Sequence, residues 1–126
     1  MRIQEISREI HQNNKDKGFW DSERNVGEML MLVTSELSEA LEADREDKRA
    51  NVEAFNRDKL GTPFHEQALF KSSFEENIKN SFEDEIADAV IRLFDMAEGL
   101  GIDLEWHIRA KLDYNKLRPK MHGKKY

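Results

Sequence analysis

The sequence predicts an all-α fold, and three observations carry that prediction. Apolar residues recur at spacings of three and four over most of the chain. Helix breakers are scarce, with two prolines and six glycines in 126 residues. Charged residues make up 37% and hydrophobic ones 38%, a balance that suits helices with one buried stripe each and argues against a β-sandwich or a disordered chain. The length suits one domain, 1–126, long enough for one core and too short for two.

The first helix is predicted over 3–15, where Ile3, Ile6 and Ile10 share a face; Asn13 and Asn14 weaken it and Gly18 turns the chain into Phe19-Trp20-Asp21. A second helix is predicted over 25–46. Asn25 is its N-cap, and Val26, Met29, Leu30, Val33, Leu37, Ala40 and Leu41 form its apolar stripe. From 45 to 80 the pattern loosens. Gly61-Thr62-Pro63 reads as a turn, and thirty-odd structureless residues would be unusual in a compact domain, so short helices are expected around 50–57 and 66–79.

The third long helix is the clearest. Ser81 and Asp84 resemble a capping box, Ile86, Ala89, Val90, Leu93, Phe94 and Ala97 trace one face, and Gly99 stands where the helix should end. Asp103 is the expected N-cap of a last helix carrying Leu104, Ile108 and Leu112, stopped by Arg118-Pro119. Trp106, one turn in, is expected in the core.

The net charge of −6 hides an asymmetry. From 107 to 126 seven Lys/Arg face one acid, Asp113, leaving 13 basic and 25 acidic residues in the first 106. A basic end on an acidic body suits a phosphate, an anionic partner or the chain's own acidic surface. The body would repel a long polyanion, which argues against nucleic acid. The absence of cysteine excludes disulfides, thiolate zinc sites and cysteine nucleophiles. No apolar run approaches the ~20 residues that span a bilayer. The polar start MRIQEISREI does not resemble a signal peptide, so the cytoplasm is the default expectation.

Two helices carry an acidic pair at spacing three, Glu36/Glu39 and Glu85/Asp88. Residues three apart project from nearly the same face, so two such helices side by side could gather four carboxylates. Four clustered negative charges raise one another's pKa unless cations neutralise them, and magnesium, a hard oxygen-loving ion, fits best. With 26 acids in the chain, many such pairs only line a solvated face. These two differ in bordering the apolar stripes of their helices. A di-iron bundle would need Glu-x-x-His on two helices. The residues three before His11, His65, His107 and His122 are Arg8, Thr62, Leu104 and Pro119, none of them acidic.

The quartet resembles the E-x-x-E … E-x-x-D pattern of the MazG-like all-α nucleoside triphosphate pyrophosphohydrolases. Phe19-Trp20-Asp21 is similar to that family's aromatic segment, and His11, nine residues before Trp20, to a pairing in members that hydrolyse deoxycytidine triphosphate. Phe82–Leu93 reads like the second metal helix. Lys111, Asn115 and Arg118, with His122-Gly123-Lys124, resemble the family's K-x-x-x-N-x-x-R … HGK ending. The blocks cover about 70 residues in the family's order. The departure is the 45 residues between Glu39 and Glu85, where the compact pattern has a much shorter connection; 45–80 reads as an insertion between the metal helices.

The resemblance implies a four-helix core with metal-binding carboxylates on two adjacent helices, assembled as a dimer or a dimer of dimers. It implies Mg2+ (Mn2+ as a substitute) on Glu36, Glu39, Glu85 and Asp88, and water attack at the α-phosphorus of a nucleoside triphosphate, giving monophosphate and pyrophosphate. One of the four carboxylates could instead be the general base. By the same resemblance Lys111 and Asn115 would contact phosphates or sugar, although Lys111 also reads as an ordinary exposed lysine. Trp20 would stack on a base or seal the core, and His11 would touch the base or cap a polar pocket. Arg118 and Lys124 would reach a phosphate, across a subunit boundary or within one chain, or hold the acidic body. Two alternatives stay open: phosphoribosyl-ATP pyrophosphohydrolase, and a non-catalytic helical interaction module.

Overall fold

The computed structural model describes residues 2–60 and 66–126. Among these residues the secondary structure is helical throughout, without a strand. It comprises α1 (Ile3–Asp16), α2 (Val26–Arg45), α3 (Val52–Leu60), α4 (Gln67–Asn77), α5 (Phe82–Gly99), α6 (Leu104–Lys116) and a short 3₁₀ turn, Lys120–Gly123. Among the described residues no helix is long and apolar enough to cross a membrane. The expected turn at Gly61-Thr62-Pro63 lies outside the described residues.

The helix ends are written in local chemistry. Asn25 Oδ1 accepts from Glu28 N at 2.9 Å, and Asp103 Oδ1 accepts from Trp106 N at 3.0 Å. Both side chains satisfy donors that a helix start otherwise leaves unpaired. At the start of α5, Ser81 Oγ accepts from Asp84 N while the Asp84 carboxylate accepts from Asn80 N, closing a capping box one residue wider than the usual form.

The chain divides into two compact units: 25–92, and 1–24 together with 93–126. In the first, α2 and the leading part of α5 run antiparallel. Phe82 N donates to Lys48 O at one end and Arg92 pairs with Glu36 further along. Between α2 and α5, α3 packs against α4, with Phe55, Phe70 and Phe74 meeting ring to ring at 5.4–6.3 Å. Asn51 caps α3 through its side chain and joins Asn77 O through its backbone N–H. The Arg49 guanidinium lies over the Phe82 ring.

The buried face of α2 is narrower than its apolar pattern. Met29, Val33, Ala40 and Ala43 are buried, but Val26, Leu30, Leu37 and Leu41 are exposed. On α5, Ala89 is buried while Ile86 and Val90 are partly exposed. The buried line 29–33–36–40–43 steps by three and four, as a helix face must. The predicted stripe spanned this line and the neighbouring one, and a single chain covers only the first.

In the second unit α1 packs on α6 and joins the end of α5 through polar side chains: Gln4 Nε2 donates to Glu98 Oε2, and His11 Nδ1 lies 2.8 Å from Asp95 Oδ1. Ile3, Ile6 and Ile10 are half-buried around Ser7, which is fully enclosed. Gly99 closes α5 as predicted and has a second role. A Cβ there would lie 2.3 Å from Trp20 Cη2, so only glycine admits the indole. Trp106 departs from expectation. It is 61% exposed, its ring edge-on to His107, because the first turn of α6 presents it outward.

Candidate metal centre

α2 and α5 place the quartet on facing helices. Glu36 occupies the buried line of α2 and Glu39 lies one turn on at its solvent side. Glu85 occupies the buried line of α5, one turn before Ala89. Each of these three offers one carboxylate oxygen, and the three oxygens lie within 4.8 Å of one another. Asp88, the fourth predicted member, stands outside that triple, half-buried one turn along α5. Its charge still couples to the group, since burial first, then Asp84 and Glu36, push its carboxyl above the usual range.

Charge decides how the three acids coexist. Two carboxylates this far apart repel by about 3 kcal/mol at an effective dielectric of about 20. Arg92, two turns beyond Glu85 on α5, answers part of this by donating from Nε to Glu36 Oε1 at 2.6 Å. Burial raises the Glu36 carboxyl, but the Arg92 hydrogen bond and its positive charge, with hydrogen bonding shared with Glu39 and Glu85, outweigh it and leave Glu36 below the usual range. Glu85 receives no such help. Burial, the Glu39 hydrogen bond and charge, and the charges of Glu36 and Asp88 push it up to about 7. One guanidinium among three carboxylates leaves an uncompensated negative pair, and an all-oxygen donor set of that charge suits a hard divalent cation.

The other predicted residues lie in the second unit. Asp95, only 4% exposed at its side chain, collects His11 Nδ1, Trp20 Nε1 at 3.0 Å and Arg24 at 3.5 Å. His11 and Trp20 are therefore brought together, edge to face at 4.9 Å, around a buried carboxylate. Lys111 and Arg118 flank the Tyr114 ring, and Arg118 also donates to His122 O. Asn115 is half-buried, with its Oδ1 enclosed and without a hydrogen-bond partner among the described residues. Lys124 is exposed.

Two residues of consequence escaped the sequence reading. Arg92 carried a signal, since seven residues from Glu85 is two helical turns and hence the same face. Asp95 carried another: it interrupts the run Leu93-Phe94-Asp95-Met96-Ala97, and an acid inside an apolar stretch needs a partner. What it binds comes from α1 and the segment after it, and no local pattern names those partners. Compared with protein-family models, with curated proteins and with solved structures, this chain finds no match.

Proposed function

We propose that this chain is a magnesium-dependent nucleoside triphosphate pyrophosphohydrolase, similar to the MazG-like all-α enzymes, releasing monophosphate and pyrophosphate. The observation that carries the reading is the convergence of Glu36, Glu39 and Glu85 within 4.8 Å, with charge left over after Arg92 is counted.

Glu36, Glu39 and Glu85 would hold the ion, with Asp88 at its margin. When bound, magnesium would neutralise phosphate charge and lower the pKa of a water suited to attack the α-phosphorus. Arg92 holds the Glu36 carboxylate through Oε1 and so restricts its rotation beside the cluster. Glu85, with its pKa near neutrality, can hold or give up a proton at working pH, and ionises fully once a cation offsets its neighbours. Glu39 is the member open to solvent and hence the one a substrate meets first.

The exposed apolar line of α2, with Leu37 at 50% and Leu41 at 53%, supports assembly of two or four copies. The Glu36–Arg92 ion pair supports the rival reading, a non-catalytic helical module in which the acids are structural. The separating experiment is pyrophosphate release from a panel of ribo- and deoxynucleoside triphosphates, with magnesium or with chelator. Chelator-sensitive release that Glu39→Ala abolishes while the fold survives is expected. Retained turnover in Glu39→Ala sinks the mechanism.

A further inference from the structure

The segment by which this chain departs from the compact family pattern builds a cavity beside the acidic cluster. It has a volume of about 420 Å³ and lies between α4, Lys79 and the first turns of α5, within the roughly 300–1,000 Å³ typical of small-molecule sites. Phe70, Lys71 and Phe74 line it from α4, and Asp84 and Asp88 from α5. Asp88 thus belongs to both places, as a member of the acidic quartet and as a wall of the cavity.

The lining has a definite chemistry. The Phe70 and Phe74 rings are nearly parallel, 18° apart, and Phe70 stays 51% exposed, so an aromatic face is left uncovered. Lys79 makes no ion pair among the described residues, while Lys71 reaches Glu75 at 3.9 Å across an exposed turn. Around them stand three acids, Glu75, Asp84 and Asp88. Two lysines against three carboxylates make a poor cradle for a polyphosphate. A flat heterocycle is different. Its face stacks on phenylalanine, its ring nitrogens and carbonyls accept from ammonium groups, and its amino groups donate to carboxylates.

We propose that this cavity is the nucleobase pocket of the nucleoside triphosphate site, with Phe70 as the stacking platform and Lys79 as a donor to the edge of the base. The assignment rests on the pyrophosphohydrolase reading above, and it replaces the expectation that Trp20 and His11 meet the base, since both spend a ring nitrogen on the buried Asp95. In it the triphosphate lies at Glu36, Glu39 and Glu85, the base lies against α4, and Asp88 stands at the junction. The inserted segment is then the part of the chain that selects the base.

The test measures binding to the full chain with magnesium, using non-hydrolysable α,β-methylene nucleoside triphosphates and, as a ligand without a base, inorganic tripolyphosphate. Stacking on one aromatic ring corresponds to about 5- to 100-fold in affinity. Phe70→Leu, which keeps apolar packing against Phe55 and Phe74, should weaken the nucleotide analogue by that factor and leave tripolyphosphate within about twofold of wild type. Lys79→Gln should change the ranking among bases, whereas Glu39→Gln should weaken both ligands together. Unaltered analogue binding in Phe70→Leu and Lys79→Gln overturns the proposal, and so does an equal loss of tripolyphosphate. Wild type that binds the analogue through Phe70 yet releases no pyrophosphate keeps the pocket and removes the hydrolytic reading. Wild type that binds no analogue removes both.

Discussion

Replacing Glu85 by glutamine tests the electrostatics of the cluster without requiring any substrate. In the metal-free protein Glu85 ionises near pH 7 instead of 4.5, chiefly because it is buried and faces Glu39, Glu36 and Asp88. A carboxyl whose folded-state pKa is raised contributes stability that is complete below its unfolded value and is lost as pH climbs to the folded one. The window here is therefore about pH 4.5 to 7. The full difference corresponds to about 3 kcal/mol, and water entering at the Glu39 side screens it to about 1–2 kcal/mol. Glu36, held low by Arg92, acts in the opposite sense and only at pH below the ordinary glutamate range, outside this window. Urea unfolding with chelator should then find wild type and Glu85→Gln about equal at pH 5 and the variant about 1–2 kcal/mol more stable at pH 8. Adding magnesium at pH 8 to a hundred times its Kd should raise wild type by about 2.7 kcal/mol and the variant by much less. A variant no more stable than wild type at pH 8, or an advantage the same at both pH values, would refute the account of the cluster.

Other consequences can be checked independently. Arg92→Ala strips Glu36 of its ion pair and should lower metal-free stability by about 1 kcal/mol, with magnesium recovering part of the loss, as read by thermal unfolding with and without chelator. Gly99→Ala sets a Cβ against the Trp20 ring; displacement of the indole should cost about 1–3 kcal/mol and shift the Trp20 Nε1–H resonance. Asp95→Ala leaves Trp20 Nε1, His11 and Arg24 without their common acceptor and should destabilise the chain by about 2–4 kcal/mol in urea unfolding, whatever its effect on turnover. Leu37→Glu on the exposed line of α2 should lower the mass measured by light scattering if copies meet there, and a mass equal to one chain in both proteins removes that interface.

The amino-acid pattern by itself determined the helices and their ends, because capping and periodicity are local. Asn25, Ser81 and Asp103 stand where α2, α5 and α6 begin, and both short helices of the 45–80 segment appear near their expected positions. It also named all three acids of the cluster, since spacing three on a helix sets a shared face before any packing. Tertiary structure decided which acids meet and what neutralises them. Asp88 stands apart from the triple, Arg92 reaches across to Glu36, and Glu85 is left to carry the repulsion. It decided, too, that only one of two adjacent apolar lines on α2 is covered, and that Asp95 gathers three donors from residues more than seventy positions away. The reason is common to all of these. Periodicity fixes which side of a helix a residue occupies, whereas burial, charge partners and pKa depend on what the other helices bring to that side, and that is set by long-range packing.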